Sequence, residues 1–228
     1  IKLMTDYKAI HGKTVQSLTS DPDTAAYEGQ IWFNSTSSDY KTITKIAGAW
    51  STGGTLNTAR GLMGAAGTQT AGLGFGGNTA PVTANSEEYD GSAWAEGDNL
   101  NGARSQLGGA GTQTAAVGFS GTPSPLAADS EEYNGSSWTE GNDMNTGRRN
   151  GAEAGTQTAA MAITGGSPDV ANVEHYNGTS WSEGADVNTA RFVLPGCGTN
   201  TAAIIAGGDP NVASTESYDG SSWTEVSD

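Results

Sequence analysis

The chain of 228 residues contains one cysteine, Cys197, and two histidines, His11 and His175. A single thiol allows no disulfide within the chain and no zinc site built on thiolates. Two histidines exclude a three-histidine metal site, and both read as surface residues. Basic residues are scarce: 10 Lys+Arg stand against 25 Asp+Glu, a formal net charge of −15. Sequence-independent binding of nucleic acid needs a basic surface, and so does attraction to anionic lipid. Neither partner is expected. No apolar run approaches the roughly 18 residues of a spanning helix, and "IKLMTDYKAIHG" lacks the apolar core of a secretory signal. "HGKT" at 11–14 ends like a phosphate-binding loop, but that loop needs a glycine where Tyr7 stands. No cofactor and no metal are expected, and no membrane insertion.

Glycine, by contrast, is abundant at 34 residues, and it is placed periodically. "GTQTAGLGFGG" at 67–77 returns as "GTQTAAVGFSG" at 111–121, "GTQTAAMAITG" at 155–165 and "GTNTAAIIAGG" at 198–208. Trp50, Trp94, Trp138, Trp181 and Trp223 follow one another at 42–44 residues, and Arg60, Arg104, Arg148 and Arg191 keep the same step. A period in the low forties built from short strands indicates propeller blades.

Within residues 60–97 the pattern predicts four strands: 61–66, 70–76, "NSEEY" and "SAWAE". A tight turn at Gly67-Thr68-Gln69 joins the first two. Asp90-Gly91 is expected to make a two-residue hairpin turn with both φ values positive. Residues Ala71, Leu73 and Phe75 share one strand face, and Gly72 and Gly74 share the other. The same division recurs in the next two copies. A bulky face can then pack on the bare face of a neighbouring blade. Small residues in the first strand suit crowding at the axis, and Pro195 fits a strand edge facing a channel.

The order "AR", Gly-Gly, "EEYDG", "W" resembles the kelch repeat over residues 53–228. That resemblance implies four-stranded blades at 53–97, 98–141, 142–184 and 185–228. In residues 1–52, segments 30–35, 40–46 and 48–52 resemble the outer strands of a degenerate fifth blade, with 13–19 as its inner strand. The fold expected is all-β, a β-propeller of five blades; four blades with an N-terminal adaptor is the alternative. The phrases "EGQIWFNSTSSDYK", "GAW" and "GAGTQTA" also resemble tail or fibre components of tailed bacteriophages, marine ones included. This implies a non-enzymatic protein of the virion, made in a bacterial cytoplasm. Its implied partners are other virion proteins and a host-surface glycan or protein. A lectin with a weak sugar site in each blade is the alternative.

Strand direction places each arginine at the same end of its blade as a glutamate: Arg60 with Glu87, Arg104 with Glu131, Arg148 with Glu174, Arg191 with Glu216. These read as ion pairs or backbone clamps, and the repeated tryptophans as blade packing. Gln69, Gln113, Gln157 and Asn200 are expected to ring the opposite face, completing turns with water. The loops between second and third strands vary: "GNTAPVTAN", "GTPSPLAAD", "GSPDVAN" and "GDPNVAS". They lie on the arginine face, and binding residues concentrate on such loops. Asn78, Ser124, Asp169, Asp209 and Asn211 are therefore the expected contact residues.

Overall fold

The computed structural model describes residues 16–19, 31–42, 52–123, 128–166, 168–210 and 212–226. The chain is all-β, a β-propeller of four-stranded antiparallel blades, with no helix among the described residues. Five sheets follow one another in sequence, the number expected for five blades. The chain divides into two compact units, Ile1–Thr52 and Gly53–Asp228.

In the first unit, β1 (Gln16–Leu18), β2 (Ile31–Asn34) and β3 (Asp39–Thr42) form a sheet in that order. β2 and β3 make the expected antiparallel hairpin, and Asn34 Oδ1 closes it by accepting from the N–H of Thr36 at 2.9 Å and Ser37 at 3.1 Å. β1 departs from the expectation, because it runs parallel to β2. A parallel pair cannot be joined by the tight turn that closes an antiparallel hairpin. Trp50 and most of the strand expected at 48–52 lie outside the described residues.

The second unit holds four blades. Blade I is β4 (Gly64–Thr68), β5 (Ala71–Phe75), β6 (Ser86–Tyr89) and β7 (Trp94–Glu96). Blade II is β8 (Gly108–Thr112), β9 (Ala115–Phe119), β10 (Ser130–Tyr133) and β11 (Trp138–Glu140). Blade III is β12 (Ala152–Thr156), β13 (Ala159–Gly165), β14 (Val170–Tyr176) and β15 (Trp181–Glu183). Blade IV is β16 (Gly196–Thr199), β17 (Ala202–Ala206), β18 (Thr215–Tyr218) and β19 (Trp223–Val226). The inner strands β4, β8, β12 and β16 lie side by side in that order.

Three local expectations are corrected. The inner strand begins at Gly64, not at 61, because Gly61 is paired with Asn78 and Leu62 has φ +56°, which breaks the extended run. Thr68 pairs with Ala71, so the hairpin turn is Gln69-Thr70. The connection between β6 and β7 spans four residues, since Tyr89 pairs with Trp94, and only Gly91 has positive φ. Asp90 Oδ1 accepts from the N–H of Ser92 and of Ala93, each at 2.8 Å. Asn134, Asn177 and Asp219 do the same in the other blades. The alternation of Asp and Asn thus reflects a side-chain acceptor that replaces a backbone turn, not a left-handed first residue. The Ala93 and Ser222 backbone donors chiefly hold the Asp90 and Asp219 carboxyls below the usual range.

The bulky and bare faces pack as expected, and the core lies between blades. Leu73 and Phe75 of blade I meet Leu107, Ala116, Tyr133 and Trp138 of blade II. Val117 and Phe119 meet Ala160, Ala162 and Trp181 of blade III. Met161 and Ile163 meet Leu194, Ala203 and Trp223 of blade IV. The bare face is a steric requirement: a Cβ on Gly109 would lie 2.5 Å from the Phe75 ring, and one on Gly118 2.7 Å from it. Trp138 stands 4.8 Å from Phe75 between ring centroids, and Trp181 stands 4.9 Å from Phe119. Trp138, Trp181 and Trp223 are buried, and Trp94 is half-buried against Tyr89.

Candidate functional site

Each arginine pairs with the glutamate of its own blade. The distances are 3.2 Å for Arg60–Glu87, 2.8 Å for Arg104–Glu131 and 2.9 Å for Arg191–Glu216, and Arg148 pairs with Glu174 likewise. All eight side chains are buried. The guanidinium also clamps backbone: Nη1 donates to Asp129 O at 3.1 Å from Arg104, to Asn172 O at 2.6 Å from Arg148 and to Ser214 O at 3.1 Å from Arg191. The carboxylate has a further partner that sequence reasoning missed. Asn57, Asn101, Asn145 and Asn188 give their N–H to it at 2.7–2.8 Å, and their Nδ2 donates to the carbonyls of Trp94, Trp138, Trp181 and Trp223. The signal was present, for this asparagine recurs unvaried in "LNTAR", "LNGAR", "MNTGR" and "VNTAR".

The second residue of each pair Gly76-Gly77, Ser120-Gly121, Thr164-Gly165 and Gly207-Gly208 is glycine, and in blades I, III and IV its Cβ position lies 3.1–3.5 Å from the arginine stem. Gly77, Gly121, Gly165 and Gly208 have φ between 111° and 140°, a region closed to other residues, and a Cβ on Gly165 would lie 3.1 Å from the Arg148 stem. The first position has φ of 57–63° and is filled by Gly76, Ser120, Thr164 and Gly207. The left-handed well admits serine or threonine at a cost, which is why this position varies and the next does not.

Two members of the ring expected from glutamine and asparagine, Gln113 and Gln157, have a different role from the one expected. Gln113 Nε2 donates to Gly72 O at 3.1 Å and Tyr89 O at 2.8 Å, and Gln157 Nε2 donates to Ala116 O at 3.1 Å and Tyr133 O at 2.8 Å. These side chains fasten blades II and III, each to the blade before it. Tyrosine hydroxyls do the same on the outer strands: Tyr133 donates to Glu88, and Tyr176 donates to Glu132 at 2.7 Å. Burial and the neighbouring carboxylate raise both phenols far above their usual range. His175 stands where Glu88 and Glu132 stand, so it is a half-buried partner of Tyr218, at 3.5 Å, and not a surface residue. Burial lowers its basicity.

Two residues after each arginine, the chain turns left-handed. Leu62, Gln106, Asn150 and Val193 have φ of 52–59°. None is glycine, and such a conformation costs about 1–2 kcal/mol in each. Hydrogen bonds between blades hold it: Gln106 N–H to Leu62 O at 2.7 Å, Asn150 N–H to Gln106 O at 3.1 Å, Val193 N–H to Asn150 O at 2.7 Å. These four residues rim a central cavity of about 350 Å³, wide open to solvent, that all four blades line. Leu62 and Val193 are exposed on the rim, and Pro195 lines the wall as expected.

Glu153 on β12 also lines this cavity, and a second space of about 250 Å³ further along the inner strands. Ala65, Gly109 and Gly196 hold the equivalent inner-strand position, so Glu153 breaks the repeat. It has no hydrogen-bond or ion-pair partner among the described residues, and burial alone raises its carboxyl to about 7. Among the described residues no cluster of His, Cys, Asp and Glu has the makings of a metal site.

Of the loop residues expected to make contacts, Asn78, Asp169 and Asp209 are exposed, and Ser124 and Asn211 lie outside the described residues. Backbone bridges Gly61–Asn78, Ser105–Thr122, Arg149–Gly166 and Phe192–Asp209 root every one of these loops beside the cavity rim. The chain matches no family model, and no match to a curated protein was found.

Proposed function

We propose that the chain is a non-enzymatic component of a bacteriophage tail or other virion appendage, a kelch-like propeller whose arginine-face loops engage a host-surface glycan or protein. The virion setting is supported by the resemblance of "EGQIWFNSTSSDYK" and "GAGTQTA" to phage tail and fibre chains. The binding role is supported by one observation. The repeated polar side chains are consumed in holding the frame, whereas Asn78, Asp169 and Asp209 stand exposed on loops that differ from blade to blade. A partner of low symmetry is recognised by residues that break a repeat. A lectin with one equivalent site per blade has less support, because Trp138, Trp181 and Trp223 are buried and have no free face for a sugar.

The test exchanges the four second-to-third loops for one common sequence. Loop changes of similar length cost little, so the melting temperature is expected to stay close to that of the parent. Binding of the fluorescently labelled protein to bacterial cells, read by flow cytometry, is expected to be lost. An exchanged protein that binds cells as well as the parent overturns the loop assignment. Purified phage particles that lack the protein by mass spectrometry, from cells expressing it during infection, overturn the virion setting.

A further inference from the structure

We propose that the central cavity of the Gly53–Asp228 unit binds a small organic ammonium ion, its cationic head on the Glu153 carboxylate and its apolar body against Leu62, Leu107 and Val193. This rests on the cavity and not on the function proposed for the loops.

Three independent features support it. The first is composition: around one cavity of about 350 Å³, the size of small-molecule sites, the chain places aliphatic side chains, two amides and a single carboxylate. The second is the absence of a cation for that carboxylate. Arg148 lines a small space beside Phe119 together with Glu153. Its guanidinium is committed to Glu174 and to the carbonyls of Thr164 and Asn172. Cys197, the other titratable group, lines the far space. Gln106 and Asn150 on the rim are uncharged. The third is rigidity: the rim is held left-handed at four non-glycine positions by a continuous series of backbone hydrogen bonds. A preformed rim lowers the ordering cost of binding.

The apolar wall and the lone acid together select the ligand. A hydrated metal ion wants several oxygen ligands, and one carboxylate does not supply them. An anion is repelled by Glu153 and by the net charge of −15. A neutral apolar molecule leaves the carboxylate without a partner. An alkyl or arylalkyl ammonium satisfies both parts of the cavity. It binds the ionised acid, so at neutral pH binding releases a proton from Glu153, and affinity rises with pH through about 7.

The probes are 2-phenylethylammonium and its neutral isostere 2-phenylethanol, titrated into the whole protein while backbone amide NMR signals of Leu107 and Val193 are followed. Saturable shifts with the ammonium are expected, with affinity about tenfold higher at pH 8 than at pH 6. Weaker binding of the alcohol by tenfold or more is expected. Glu153→Gln is expected to lower ammonium affinity at least tenfold, while Glu183→Gln, at an exposed acid on β15, leaves it unchanged. The pH profile of the parent protein tests the proposal even if a variant fails to fold. Equal affinity for the alcohol, a flat pH profile, undiminished binding by Glu153→Gln, or no saturable shift at either amide overturns it.

Discussion

Removing the indole of Trp138 would empty a space enclosed by Phe75 of the preceding blade, Tyr133 of its own and Ser86, whose hydroxyl accepts its Nε1–H at 3.3 Å. The flanking β-sheets are rigid, so the site collapses poorly. Trp138→Ala is expected to destabilise by roughly 3–5 kcal/mol in urea unfolding; a loss below 1 kcal/mol would show a ring open to solvent and restore sugar stacking as a reading. Glu153 has the opposite sense. Burial raises its carboxyl from 4.5 to about 7. The folded state therefore keeps a proton that the unfolded chain releases between those values. Stability falls as pH rises through that window and is unaffected below it. Glu153→Gln removes the penalty. It is expected to match the parent near pH 4 and to exceed it near pH 8, by up to about 3 kcal/mol. Equal stability of the two proteins at pH 8 would mean that the carboxylate is well solvated.

At the scale of the strand and its turn, the ion pair is the joint of each blade. Arg104 binds Glu131 and the Asp129 carbonyl, and Glu131 in turn holds Asn101. Arg104→Met keeps much of the stem and strands the carboxylate in a dry site, so a loss of about 3–5 kcal/mol is expected, read as a lowered urea midpoint. Adding Glu131→Gln to that variant should recover part of the loss, since it removes the unpaired charge; no recovery would show that Asn101 alone satisfies the acid. This joint was partly legible in the sequence. The spacing of Arg104 and Glu131 along strands of known direction put them at one end of a blade. The recurrence of Asn101 and its counterparts marked the position, but not its partner, because a small amide is as common in solvated loops. The left-handed rim was hidden for a sharper reason: Leu62, Gln106, Asn150 and Val193 share no chemistry, and three of them are poor residues for positive φ. Their conformation is imposed by hydrogen bonds to a neighbouring blade, which local sequence does not encode. Gln113 was read as a turn residue for the same reason, its two acceptors lying 41 and 24 residues away.

Across the whole molecule, the charge of the surface also bears on stability. The net charge of −15 comes from 25 acidic residues, and four of these, Glu87, Glu131, Glu174 and Glu216, are buried against arginines. The pairs inside the blades are shielded from salt by the protein around them. The acids left on the surface, such as Glu96, Glu140 and Glu183 on the outer strands, have few cations nearby and repel one another. At low ionic strength this repulsion reaches roughly 30 Å, across several blades, and at physiological salt it falls to about 8 Å. Folding gathers these charges and unfolding disperses them, so screening favours the folded state. Raising sodium chloride from about 10 mM to about 200 mM should therefore raise the melting temperature, by roughly 2–4 °C for a gain near 1 kcal/mol in a chain of this length. Differential scanning calorimetry at fixed pH 7.5 reads it directly. A melting temperature that falls with salt would mean that exposed ion pairs, and not the buried four, carry the electrostatic stability.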